Sequence, residues 1–168
     1  WEYDDRGLLE SERHPELGAS GQGTTAYSQF DALGNAREKD TGAHVVSFVI
    51  DRANRLQKVS EGPLDEPTRT LKEFSYAIDN AEGNWRLGKV QVANAWNYLP
   101  TGPGTEAETR LEETFVYGGV GGRKSERTLR FFLGAGALEA FHAPQQNLQV
   151  FHHAESYDAL GQRVSLSY

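Results

Sequence analysis

The chain has no cysteine and no methionine in 168 residues. Without thiols there can be no disulfide framework and no thiolate zinc site, although the compartment stays open. Positive charge is also scarce: 17 Lys and Arg stand against 24 Asp and Glu, a formal net charge of -7, and no basic cluster occurs. Nucleic acid is therefore not an expected partner, because phosphate affinity needs concentrated positive charge. Long apolar runs are missing as well. The richest stretch, Val45-Val46-Ser47-Phe48-Val49-Ile50, has the length of a strand, far from the roughly 18 residues of a membrane helix, so no membrane span is expected.

What the chain does contain is one short phrase, repeated. An aromatic or Ile is followed by Asp, two variable residues and Gly, with substitutions in some copies. The copies are Tyr3-Asp4-Asp5-Arg6-Gly7, Phe30-Asp31-Ala32-Leu33-Gly34, Ile50-Asp51-Arg52-Ala53-Asn54, Ile78-Asp79-Asn80-Ala81-Glu82-Gly83, Tyr117-Gly118-Gly119-Val120-Gly121 and Tyr157-Asp158-Ala159-Leu160-Gly161. Asp three residues before Gly predicts a type I turn whose carboxylate accepts turn N–H groups while the glycine takes positive φ. Asn54 fits the same role, since Asn tolerates the left-handed region. Each copy then predicts a hairpin with a three-residue loop and a glycine bulge.

Alternation supports strands on both sides. Trp1, Phe48, Tyr76 and Phe115 stand two residues before the motif aromatic or Ile, and so share its face. Leu9, Ala36, Leu56 and Trp85 follow the Gly position at the second residue. Long strands are predicted over Thr68–Asp79 and Asn84–Tyr98, with a bulge at Gly88, and variable tips at His14–Gln22, Glu61–Pro67 and Leu99–Thr105. The motif rings are expected to be substantially buried. The segment Phe131–Asn147 is the least regular; Gly134-Ala135-Gly136-Ala137 suits a tip, and Ala137–Ala143 has room for one helical turn.

This recurrence closely resembles the YD repeats of RHS proteins, over Trp1 to Tyr168. Glu113-Thr114-Phe115-Val116-Tyr117-Gly118-Gly119-Val120-Gly121-Gly122-Arg123 is similar to a degenerate bacterial repeat, and Ser156-Tyr157-Asp158-Ala159-Leu160-Gly161-Gln162 is nearly a consensus copy. The resemblance implies an all-β fold, antiparallel β-hairpin repeats forming a curved ribbon that is a segment of an RHS/YD-repeat β-shell. It further implies a structural, non-enzymatic role in a secreted or cell-surface bacterial protein. The partners would be the remainder of the shell and an enclosed toxin or effector domain, with no cofactor. Residues 1–168 are expected to be a single YD-repeat sheet region, a fragment of a longer shell, with self-association through open sheet edges as a further expectation. The alternative is an extracellular adhesion or carbohydrate-binding module built on the same repeats, related to the teneurin shell.

Candidate chemistry is sparse. Trp96 and Tyr98 are the best ligand-binding candidates, because aromatic faces stack on sugar rings. His153 and Glu155 share a strand face, but His14, His44 and His142 offer no spacing for a third ligand, so no metal is expected. Glu112-Glu113 and Asp65-Glu66 are adjacent pairs, which a strand points to opposite faces rather than at one glycosidic bond. The glycines at 118, 119, 121 and 122 precede Arg123-Lys124-Ser125, yet no helical periodicity follows to complete a phosphate loop.

Overall fold

A computed structural model describes residues 1–14, 23–80, 85–118, 121–134 and 148–168, with only the backbone of residues 148 and 149. The chain is all-β, and none of the described residues is helical. Its strands are β1 (Glu2–Tyr3), β2 (Leu9–Arg13), β3 (Thr24–Ser28), β4 (Glu38–Asp40), β5 (Val45–Ile50), β6 (Leu56–Glu61), β7 (Arg69–Tyr76), β8 (Val90–Gly102), β9 (Thr105–Gly118), β10 (Arg123–Leu133), β11 (Leu148–Tyr157) and β12 (Arg163–Ser167). Residues 1–71 and 72–168 form two compact units. Within each, the strands lie in chain order, hydrogen-bonded to their antiparallel neighbours. Such a meander follows from hairpin signals alone, since no crossover is needed.

In the first unit, β1–β6 are short. Tyr27, Lys39, Val46, Phe48 and Val59 face one side through the registers Tyr27↔Lys39, Lys39↔Val46 and Phe48↔Val59. Glu38, Ser47 and Ser60 face the other. The connection after β6 returns to that side, where the Leu64 N–H donates to the Glu38 carboxylate at 2.6 Å, and Ser47 and Ser60 are buried. Gly62 permits the return: its φ is +95°, and a Cβ there would sit 3.0 Å from Glu66 O and Thr68 N.

The second unit is built on longer strands, with 13, 14 and 11 residues in β8, β9 and β10. Two cross-strand rows define one face: Phe74↔Ala93↔Glu113↔Leu129↔Phe151, and Lys72↔Ala95↔Leu111↔Phe131. The opposite face carries Trp96↔Arg110↔Phe132 and Asn94↔Glu112↔Arg130↔Val150.

Almost nothing is interior. Among the described residues the only buried apolar side chains are Val59, Ala77 and Ala107, and no large side chain is fully buried. The expectation that motif rings are substantially buried therefore fails at Tyr3, which is 60% exposed on a two-residue edge strand, and the motif Ile78 is 88% exposed. Phe30, Tyr117 and Tyr157 are half-buried. Among the described residues no second layer covers these strands, and an uncovered strand surface cannot seal a ring from water.

Three boundaries also differ from expectation. β8 begins at Val90 rather than residue 84, because Ala77 and Lys89 close the connection (Ala77 N–H to Lys89 O, 2.9 Å; Gly88 N–H to Ala77 O, 2.8 Å). Trp85 and Leu87 consequently lie in that connection, with Trp85 at φ +50° and Gly88 at φ +77°. Strand β4 and the turn from Thr41 to His44 were not anticipated; Gly42 supplies the positive φ, at +78°. The expected tip over Leu99–Thr105 narrows to Pro103-Gly104, since β8 runs through Gly102 and β9 starts at Thr105. Gly83, His142 and the segment Ala137–Ala143 lie outside the described residues.

Candidate functional site

The repeated phrase folds as its spacing requires. In four copies the Asp carbonyl accepts the N–H three residues on, and the Asp N–H donates to the carbonyl four residues on. These pairs are Asp4 with Gly7 and Leu8, Asp31 with Gly34 and Asn35, Asp51 with Asn54 and Arg55, and Asp158 with Gly161 and Gln162, all at 2.9–3.0 Å. One carboxylate oxygen of each Asp accepts two further backbone N–H groups, at residues two and four beyond it, over 2.8–3.0 Å. Gly7, Gly34 and Gly161 take φ of +78°, +85° and +75°, and Asn54 takes +60°. Register shifts beside Tyr3, Ile50 and Tyr157 are the expected bulges.

Those donors also set the electrostatics. The Leu8 N–H, together with Arg6, holds the Asp4 carboxyl below its ordinary range. The Asn35 side-chain amide does so first for Asp31, and the Arg55 side chain for Asp51. Charge here is spent on turn geometry.

The two remaining copies are built differently. Asp79 pairs with Arg86, and Asn80 Oδ1 accepts the Leu87 N–H at 2.8 Å. In the Tyr117 copy Gly118 stands where Asp would be, and Lys89 takes over: its ammonium donates to the carbonyls of Gly121 (3.2 Å) and Gly122 while lying 5.2 Å from the Tyr117 ring centre. Gly121 keeps φ at +76°.

Neighbouring turns touch through side chains that the Asp–Gly spacing does not reveal. In the first unit Arg6 stacks on Phe30 at 5.8 Å and the Asn35 amide donates to Asn54 Oδ1 at 2.6 Å. In the second, Lys89 on Tyr117 is matched by Arg123 on Tyr157 at 5.5 Å. Each tyrosine hydroxyl also bonds backwards: Tyr117 to Val90 O (2.6 Å) and Tyr157 to Lys124 O (3.0 Å). Burial raises the Tyr117 pKa, and the hydrogen bond to Glu155 raises that of Tyr157. A cation beside a positive-φ glycine was the available signal, visible at Arg6 next to Gly7, Lys89 next to Gly88 and Arg123 next to Gly122.

Trp96 and Tyr98 share a face as their spacing implies, and both are half-buried. They lie across from Arg110 and Glu108, and the Arg110 guanidinium sits 4.1 Å from the Phe132 ring centre. His153 and Glu155 do share a face, 3.6 Å apart, but no group of three His, Asp or Glu placed to hold a metal occurs among the described residues. Glu112 and Glu113 point to opposite faces, bonded to Arg130 (2.9 Å) and Arg127 (2.6 Å) respectively.

Three openings among the described residues of the second unit lie chiefly against the Phe74–Phe151 face. An opening of about 500 Å³ is lined by Lys124, Arg127, Leu129, Phe151, His153 and Tyr168. A second, about 450 Å³, lies against Leu99, Leu111, Phe131 and Leu133, and a third, about 220 Å³, against Phe74, Ala93, Ala95 and Leu111. Phe131 and Phe151 meet edge to face at 5.9 Å between the first two. The linings mix apolar side chains with charged and polar ones, among them Lys124, Arg127, His153, Asn97, Thr109, Lys72 and Glu113. No protein-family model matches the sequence, and no curated protein matches it.

Proposed function

We propose that this chain is a structural, non-enzymatic segment of a YD-repeat shell, in which it walls off or presents a toxin or effector domain of a secreted or cell-surface bacterial protein. The observation that carries this reading is the Asp-x-x-Gly turn, rebuilt bond for bond at Asp4, Asp31, Asp51 and Asp158 in a hairpin meander that has almost no interior of its own. A sheet that is nearly all surface suits a wall better than a catalyst, which needs titratable groups converging in an enclosed pocket. The histidine–glutamate pairs among the described residues (His14 with Glu12, His44 with Glu61, His152 with Glu126, His153 with Glu155) are spread over the strands, the last two on opposite faces of β11.

The test is protease protection of the product of the complete native gene. A shell leaves a polypeptide segment encoded outside residues 1–168 resistant to protease until the repeats are unfolded with urea. Digestion of every other segment at the rate of a linker, with the repeats still folded, would sink the reading.

A further inference from the structure

Resting on that reading, we infer that the Phe74–Phe151 face of the second unit is the inward face, and that its apolar side chains and cations contact an enclosed polypeptide that brings carboxylates of its own. Three observations converge. First, the concavities described above are lined chiefly by side chains of this face, and Leu111 belongs to two of them.

Second, the two faces differ in charge. The Phe74–Phe151 face carries Lys72, Lys124, Arg127 and Arg163 against Glu113 and Glu155, whereas on the opposite face Glu73, Glu106, Glu108, Glu112 and Glu126 outnumber cations such as Arg110 and Arg130. The first face is thus mildly basic in a chain of net charge -7, and the second is acidic. Third, the basic groups are unevenly engaged. Arg127 binds Glu113 and keeps a buried Nε without an acceptor, whereas the Lys124 ammonium lies 5.9 Å from the Phe115 ring centre and acts on the Glu155 carboxylate through charge rather than through an ion pair within 4 Å. An acidic outer face favours water and repels other acidic surfaces, while an apolar face with cations suits a partner segment that brings carboxylates of its own.

Residues 1–168 contain no cysteine, so a thiol introduced there is the one labelling site within them. Phe151 and Val150 are adjacent on β11, point to opposite faces and are equally open to solvent, 56% and 52% exposed. Phe151→Cys and Val150→Cys, with Leu129→Cys and Thr128→Cys as a second adjacent pair, are introduced into the complete native gene product. Each is treated with a membrane-impermeant maleimide and mapped by peptide mass. The expected result is that Val150→Cys and Thr128→Cys label at least 10-fold faster than Phe151→Cys and Leu129→Cys, and that urea abolishes the difference. The reverse order overturns this inference while leaving enclosure intact. Equal, fast labelling of all four removes the enclosure reading itself. Zero-length carbodiimide cross-linking supplies a second readout: a cross-link from Lys124 to a carboxylate outside the repeats, lost in Lys124→Gln, is expected. Cross-links confined to carboxylates within residues 1–168 would overturn the proposed contact.

Discussion

The four copies whose Asp forms the turn and the copy that lost its Asp reach the same end by different means. Around Asp51, a single carboxylate collects two backbone N–H groups at 2.8 and 2.9 Å and organises the turn from within. Around Tyr117, Gly118 has no side chain to do this, and Lys89 reaches in from the neighbouring hairpin to the carbonyls of Gly121 and Gly122. One turn is locally specified. The other depends on the strand beside it, so an error in its neighbour becomes its own. The lesson is that the positive-φ residue is the common element, present at Gly7, Gly34, Asn54, Gly121 and Gly161 alike, and the acid is one of two ways to hold it.

The largest effect should come from attacking that common element. Gly161→Ala forces a left-handed alanine, which costs about 1–2 kcal/mol. It also places a Cβ 2.8 Å from the Arg123 guanidinium that stacks on Tyr157. Gly7→Ala carries the same backbone strain with nothing within 4 Å, so urea unfolding should rank Gly161→Ala as the more damaging of the two. Equal losses would show that the turn-to-turn contact contributes nothing.

A smaller effect is expected at Lys89. Replacing it with Met removes both carbonyl contacts and the Tyr117 stack, a loss of about 1 kcal/mol. Hydrogen exchange should quicken around Tyr117 and stay unchanged around Asp51. Uniform quickening would mean that the fifth turn is no more dependent on its neighbour than the third.

The mildest test is acid. Asp4, Asp31 and Asp51 have carboxyl pKa values depressed in the folded chain, by Leu8 N–H, the Asn35 side chain and the Arg55 side chain respectively. Their contribution is full above the unfolded value near 4 and is lost as pH falls through the folded value. Stability should therefore decline below about pH 4, and Asp51→Asn should flatten that decline. An unaltered acid profile in Asp51→Asn would refute the assignment.

How much of this was legible in the sequence follows from the same contrast. The Asp turns are local, so three-residue spacing was enough to place their bonds at Asp4, Asp31, Asp51 and Asp158, and the bulges beside Tyr3, Ile50 and Tyr157. Opposed side chains at Glu112 and Glu113 were equally readable, because strand alternation is strict. Burial was not readable. Whether Tyr3 or Ile78 is covered depends on what lies over the sheet, and no periodicity in one chain encodes the presence of a second layer. Nor were the links from Lys89 and Arg123 to the next tyrosine readable, because they need the register between hairpins about 30 residues apart in sequence. β4 escaped for a simpler reason: Glu38-Lys39-Asp40 is three charged residues with no apolar pattern at all.

The meander has a kinetic consequence. In each unit every strand bonds only to strands adjacent in the chain, so no distant loop must close before pairing begins. Antiparallel proteins are usually slow folders because their pairings are remote in sequence, and this arrangement avoids most of that entropy. Each hairpin can form on the template of the one before it, in the order in which a ribosome or a translocation channel releases the chain. Assembly then proceeds by accretion, and the Asp turns serve as its starting points.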